Sequence, residues 1–376
     1  MNLALEPDMF LIDQLKNIQT KLGQIYDEIQ GLNEIEKEFI HKQAFISNIG
    51  ASTRIENALL TDQEVEWIDT ALSEDARPTA FDKHKEMIFN KLSKDKERSI
   101  EEVVGCREML EIVYSKYNEL KPLRETDLRG LHTHLLRHYA NANHYCGKYK
   151  PNTNRVVMIN HETGEKKTVL DPASPGPITE AAMRDLFNWY NQAIDECPWP
   201  LLVASEFTFR FLAIHPFQDG NGRISRAMFL LILLQSNDKY ISEVAKYIAI
   251  DRYIERDRSA YYLALRQCSD GRFRQDVTEY NLKPITFFFI RSFDKALADI
   301  AIYRNKYANL QGLTAIDKAV LKSFKASPEK RLRVSDIAED TGLIKRSIQN
   351  SIGELRERGF LQKTGRGPQT VYQLVF

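Results

Sequence analysis

Little in this sequence would cross-link the chain or anchor it in lipid. Four cysteines, Cys106, Cys146, Cys197 and Cys268, are spread through 376 residues without a CxxC pair. A disulfide framework or a cysteine-rich zinc site is therefore not expected, and the thiols read as buried and free in a reducing compartment. An excess of one charge is missing too: lysine plus arginine and aspartate plus glutamate number 52 each. That balance argues against a surface that coats nucleic acid or anionic membrane everywhere, and leaves a local patch open. Long apolar runs are absent. The most hydrophobic, "MFLLILL" at 228–234, is seven residues; a membrane span takes about 20, so a buried core helix is expected. The opening "MNLALEPDMFLIDQLKN" carries acids and has no basic segment followed by an apolar one. No signal peptide is expected, and the reading is a cytoplasmic protein with no membrane partner.

What is present is ordinary globular composition, 43% hydrophobic and 28% charged, in a chain long enough for two or three domains. Residues 8–48 read as helix, with Phe10, Leu11, Leu15, Ile18, Leu22, Ile25 and Ile29 at threes and fours. Helical periods continue over 62–120, broken by a loop at "SEDARPTAFD". Another helix starts near Thr126, with Asp127 supplying acid to its first turn. The one β signal is "RVVMINHETGEKKTVLD" at 155–171, two β-branched runs around a Glu-Thr-Gly-Glu turn, which predicts a hairpin. Helices resume after "PASPGP".

From about residue 313 the order reads helix, short helix, turn at Gly342, long helix, then two strands around "KTGRGPQ". That is the order of a winged helix-turn-helix. Residues 313–376 hold 12 basic and 7 acidic side chains. DNA binding and a protein or dimer contact both fit.

The densest stretch is "HPFQDGNGRISR", residues 215–226. Pro216 turns the chain after an apolar helix. Gly220 and Gly222 let backbone N–H groups approach a ligand without a Cβ in the way. The following helix start offers unpaired donors to phosphate oxygens. Arg223 and Arg226, three apart, share a side of the first turn. Asp219 suits Mg²⁺ beside phosphate oxygens, and a neutral His215 could take a proton from a hydroxyl. Together these describe a site where a hydroxyl attacks a Mg²⁺-bound nucleotide phosphate.

His215-Pro-Phe-Gln-Asp-Gly-Asn-Gly-Arg-Ile-Ser-Arg226 resembles the Fic motif, HxFx(D/E)GNGRxxR, at every defined position. The resemblance extends over roughly residues 100–290. It implies a mainly α fold, a helical core with a small β-hairpin flap, and transfer of AMP from ATP to a hydroxyl side chain of a target protein. In it His215 is the base, Asp219 the Mg²⁺ ligand, and Gly220, Asn221, Gly222, Arg223, Ile224, Ser225 and Arg226 the nucleotide anchor. Gly222 resembles the AMP-transferring branch; phosphate-transferring relatives of the death-on-curing type carry lysine there. "KTVL", Lys167, Thr168, Val169 and Leu170, resembles the flap strand that lines target and nucleotide by edge pairing. "RDRSAYYLAL" resembles the segment beside the adenine. Tyr261 and Tyr262 point about 100° apart on a helix, so one is expected at the base and the other in the core. Relatives often carry asparagine where Ser269 stands.

Upstream, "ASTRIEN" fits the inhibitory pattern (S/T)xxxE(G/N) through Ser52, Glu56 and Asn57. In relatives this helix docks on the nucleotide site and its glutamate pairs with the second arginine, here Arg226. A carboxylate there would compete with the γ-phosphate. The implied domains are 1–95, a helical region with the inhibitory helix; 96–300, the Fic core; and 301–376, the winged helix-turn-helix. His132, His134 and His138 lack the acid a metalloprotease helix needs between them and read as core or surface histidines. "KHKEMIFNKLSKDKERSIEE" reads as a solvated face.

Three functions stand open at this point: an AMP-transferring enzyme, the reverse removal of AMP with Glu56 orienting water, and a DNA-binding regulator with a nucleotide-sensing core. Self-modification, a homodimer and DNA remain open as partners.

Overall fold

The computed structural model describes residues 3–73, 80–142, 144–159, 166–326, 331–365, 367 and 370–374. The fold is mainly α. In chain order come α1 (Met9–Gln30), α2 (Glu34–Ile55), α3 (Asp62–Ser73), α4 (Ala80–Lys91), α5 (Glu97–Lys116) and α6 (Glu125–Leu136). Strands β1 (Val156–Ile159) and β2 (Lys166–Leu170) follow, then α7 (Pro177–Glu196), α8 (Pro200–Ile214), α9 (Asn221–Leu234), α10 (Lys239–Val244), α11 (Ile250–Arg256), α12 (Arg258–Ser269) and α13 (Lys283–Gln311). The chain ends with α14 (Ala315–Lys325), α15 (Val334–Thr341), α16 (Lys345–Glu357), β3 (Leu361–Thr364) and β4 (Val371–Leu374). No helix among the described residues is long and apolar enough to cross a membrane. Two compact units share the chain, one from Met1–Ala58 and Glu101–Ile300, the other from Leu59–Ile100 and Ala301–Phe376.

The first unit is built on α8 and α9, which pack against each other. Every residue of α8 is buried, as its all-round apolar sequence requires. "MFLLILL" lies in α9 and is buried throughout. The expected single helix over 8–48 is two helices. Asn33 breaks it: its side chain accepts from the Glu36 N–H at 2.9 Å and caps α2, while Gly31 ends α1. The helix expected near Thr126 is α6; its first-turn Asp127 accepts from the Arg124 N–H at 2.9 Å.

The β signal is an antiparallel pair, Val157 opposite Thr168 and Ile159 opposite Lys166, with a register shift after Val156. Its Glu-Thr-Gly-Glu turn lies outside the described residues, as does most of "SEDARPTAFD". β2 is held at its far end where the Asp171 N–H donates to the Gly271 carbonyl at 2.9 Å.

In the second unit α14, α15 and α16 close over Val320, Phe324, Ile337, Ile348, Ile352 and Leu355. Gly342 (φ 68°) ends α15 in the left-handed conformation, which glycine adopts without a Cβ penalty. β3 and β4 pair antiparallel, and Leu332 bridges to Tyr372 on the other edge of β4.

One buried group in α8 works against stability. Thr208 is fully buried and its hydroxyl has no partner among the described residues. Thr208→Val keeps the shape and removes the unmet hydroxyl, so stability should rise by about 1 kcal/mol. Chemical unfolding measures it; a loss of stability would show that the hydroxyl is satisfied.

Candidate active site

Residue 215 is where α8 stops. His215 takes a left-handed conformation (φ 51°, ψ 58°) and its N–H closes on the Phe211 carbonyl at 2.8 Å. Pro216 prevents continuation. The loop that follows is tied from both sides. Asn221, buried at the head of α9, accepts from the Phe217 N–H at 2.9 Å and donates to the Phe217 carbonyl at 2.7 Å. Asn154 donates to that same carbonyl at 2.8 Å. Lys150 donates through its backbone to Pro216 at 2.7 Å and through Nζ to the last α8 carbonyl, Ile214, at 3.1 Å. Gly220 (φ 79°) fits because a Cβ there would come within 3.0 Å of Leu135.

His132 is the loop's other support. Its ring stacks on Phe217, with centroids 3.8 Å apart. Its Nδ1 accepts from the Gly147 N–H at 2.9 Å, so Nε2 carries the hydrogen and donates to the Asp219 carbonyl at 3.0 Å. The sequence had offered His132 only as a core or surface histidine. His134 and His138 face Glu108 instead, at 3.8 and 2.7 Å.

Around the loop lies a cavity of about 220 Å³. Its walls are His215, Gln218, Asp219, Gly220, Asn221, Gly222 and Arg226, together with Glu56, Leu212, Tyr261, Tyr262 and Leu265. The hairpin contributes Val156 and Val157 of β1, with Asn154 and Arg155 before it. Of the β2 residues expected here, the Lys167 side chain lies outside the described ones, and Thr168, Val169 and Leu170 are not on this wall; Val169 and Leu170 are buried, and the Thr168 carbonyl accepts from Arg266 at 3.1 Å. Arg223, Ile224 and Ser225 are buried behind the wall, and the Ser225 hydroxyl donates to the Gly222 carbonyl at 2.7 Å. Both tyrosines are buried and both line the cavity; Tyr261 also packs on Phe288 and Phe289. Ser269, off the wall, bonds within its own turn to Leu265 at 3.2 Å.

Asp219 accepts the Gly220 N–H on Oδ1 at 2.6 Å, with Arg223 Nη2 3.5 Å away. Its other oxygen has no partner among the described residues, and the side chain is 41% exposed. Such a carboxylate suits a hard cation that takes its remaining oxygens from a bound phosphate.

Arg226 is 2% exposed and gathers the end of α2 around it. Its Nε donates to the Ser52 hydroxyl at 2.9 Å, and its Nη2 donates to the Ser52 carbonyl at 2.9 Å and to Glu56 Oε1 at 3.0 Å. Asp251 of α11, also buried, lies 3.7 Å from Nε. Glu56 reaches this position because α2 ends there. Asn57 is left-handed (φ 76°), its N–H donates to the Arg54 carbonyl at 2.9 Å, and the Ala58 N–H donates to Thr53 at 3.1 Å. This is a Schellman end, whose left-handed position favours glycine or asparagine. The carboxylate then lies over Gly222, where any Cβ would meet Glu56 Oε1 at 2.2 Å. Arg54 and Glu255 fix the turn with bonds of 2.6 and 3.0 Å.

The electrostatics follow from burial. Desolvation, with the Lys150 ammonium nearby, pushes His215 down to about 4, so its imidazole is neutral at pH 7. Burial also pushes Asp251 up to about 6, against the pull of Arg226. Burial presses Arg226 toward losing its proton, but Glu56 and Asp251 outweigh it and hold the charge. The site therefore offers a neutral base, a fixed cation already paired, an open carboxylate and a glycine-lined helix start.

Comparison with known proteins agrees with this geometry. The profile of the Fic/DOC family matches residues 122–233. A Fido domain-containing protein of Dictyostelium discoideum is 34% identical over 100 residues, covering 23% of this chain and 68% of that protein. A Fic family protein from Desulfovibrio desulfuricans G20 superposes with a TM-score of 0.55 at 20% identity, over 100% of this chain and 98% of its own. A Fic domain containing signaling protein from Bacteroides thetaiotaomicron gives 0.56 at 23% identity, over 78% and 96%. At these identities the likeness to the two structures is one of fold.

His132 allows a test in solution. Burial holds it near pH 4, whereas in an unfolded chain histidine takes a proton near 6.5. Between those values only the unfolded state is protonated, so stability should drop by up to about 1.4 kcal/mol for each unit that pH is lowered from 6.5 toward 4, and be regained as pH rises. NMR titration should place its midpoint near 4; a midpoint between 6 and 7 would mean that the loop support is not formed.

Proposed function

The chain belongs to the Fic/DOC family, and on that premise we propose that it transfers AMP from ATP to a hydroxyl side chain of a target protein, with α2 as a built-in brake. The observation that carries the reading is the single cavity holding His215, Asp219, the Gly220–Gly222 turn, Arg226 and Glu56. On this reading β1–β2 is the flap, and α14 to β4 form the winged helix-turn-helix.

The chemistry assigned to the chain's own groups is as follows. The N–H groups at the start of α9 bind phosphate oxygens, helped by the helix's partial positive charge. Asp219 is the residue to hold Mg²⁺, which when bound neutralises phosphate charge and draws electrons from the α-phosphorus. His215, kept neutral by burial, takes the proton of the target hydroxyl as its oxygen attacks that phosphorus. The bond to the β-phosphate breaks and pyrophosphate leaves. Tyr261, Tyr262 and Leu265 offer the apolar wall that suits a base.

Glu56 supplies the regulation. It occupies the open side of Arg226, the cation suited to the γ-phosphate, and its carboxylate lies across Gly222. A triphosphate is then repelled from the pose in which its α-phosphorus faces His215. Ser52 and Asp251 keep the guanidinium aimed at Glu56.

The test is incorporation of labelled AMP into the chain itself or into lysate proteins. Glu56→Gly should raise it by roughly tenfold or more, because even a tenfold population shift takes only about 1.4 kcal/mol. Glu56→Gly combined with Arg226→Ala should lose the gain. His215→Ala in the released background should lower transfer by ~10²–10⁴-fold, the usual worth of a general base. No gain in Glu56→Gly would refute the brake, and undiminished transfer in the His215 variant would refute the base.

A further inference from the structure

Residues 313–376 take no part in the chemistry above, yet α16 carries a row of polar side chains with nothing to bind. We infer that this face of α16 is a binding surface for double-stranded DNA, with the helix entering the major groove.

The placement follows from helical geometry. α16 buries Ile348, Ser351, Ile352 and Leu355 on one stripe. At 100° per residue the opposite arc holds Arg346, Gln349, Asn350 and Gly353, flanked by Lys345. Lys345, Arg346, Gln349 and Asn350 are exposed. Among the described residues none of the four makes a side-chain hydrogen bond or ion pair. Elsewhere in this unit Arg358 pairs with Glu354 at 2.6 Å, Lys325 with Glu66 at 3.4 Å, and Arg331 donates to Gln373 at 3.4 Å. Among the described residues Lys345 and Arg346 have no acid partner that an outside anion would have to displace. Glu357 shares the arc but lies eleven residues from Arg346, about 16 Å along the axis.

Two details favour a duplex over a protein partner. Asn and Gln present the donor–acceptor pair that matches adenine, Arg matches guanine, and an apolar side chain meets the thymine methyl. Ile344, 70% exposed at the start of the helix, is placed for that last contact. It is also the one large exposed apolar side chain among the described residues of α15, α16 and the turn between them, too little for the apolar anchors a protein interface uses. The second detail is Gly353. A mid-helix glycine costs about 0.5–1 kcal/mol against alanine, and nothing inside the fold needs one here, since an added Cβ would meet no atom within 4 Å. Close approach by an outside backbone accounts for it.

The experiment uses the full chain and a pool of duplexes with a randomised core, read by fluorescence anisotropy at about 50 and 200 mM salt. Binding should be in the micromolar range at low salt and weaken steeply at high salt, as counterion release requires. Lys345→Ala and Arg346→Ala should each lower the salt slope by about one. Asn350→Ala should relax the preference of the selected pool by roughly tenfold at one position. Gly353→Glu is the sharpest variant: glutamate suits a helix better than glycine, so folding is kept, while the new carboxylate should reduce binding at least tenfold. The inference is overturned if the intact chain binds no duplex at low salt up to about 100 µM. Binding that survives Gly353→Glu, or RNA duplex bound as well as DNA, overturns it equally.

Discussion

A guanidinium removed from water must be met by fixed acceptors, and Arg226 is removed almost completely. Its five N–H groups cannot give up their charge, so the surroundings have to supply oxygen atoms in the right directions. They come from α2 through Ser52 and Glu56, and from α11 through Asp251. The end of α2 is thereby bound to the first turns of α9. Breaking one side of such a pairing typically costs about 3–5 kcal/mol when nothing replaces it. A nucleotide phosphate is a replacement, which makes the contact suited to exchange as well as to stability.

That one residue explains why Glu56 and the loop between α8 and α9 share a cavity wall. Glu56 sits where it does through the Schellman end at Asn57, and the glycine beneath it leaves the space its carboxylate fills. The loop between α8 and α9 is meanwhile held by contacts independent of α2: His132 under Phe217, Asn221 across the turn, Lys150 at the end of α8. Releasing Glu56 would free the cation while leaving the loop geometry in place.

The helical character, the hairpin and residues 215–226 were legible because each depends on local signals: spacing of apolar positions, turn residues, a run of unusual types. Asn57 was legible as part of a pattern, and the left-handed end of α2 gives the pattern its physical reason. Lys150, Asn154 and Asp251 were not, being single residues of common types brought in from distant segments. The break at Asn33 carried a signal, an amide three residues before Glu36, but the apolar period runs across it and masked it. Strand alternation says which side chains share a face, not which of them border a cavity, so the place of Val156 and Val157 on the wall was not legible. In α9 the arginine spacing is right, yet only Arg226 lines the cavity, because Arg223 is buried behind Asp219.

The central claim is that Glu56 and the terminal phosphate compete for Arg226. The most direct measurement is calorimetric: the affinity of the Mg²⁺ complexes of ATP and ADP for the intact chain and for Glu56→Gly. Competition predicts that the intact chain barely distinguishes the two nucleotides, and that the variant prefers ATP by roughly tenfold or more, the worth of a charge-assisted contact regained. An ATP-to-ADP ratio that is the same in both proteins would contradict it.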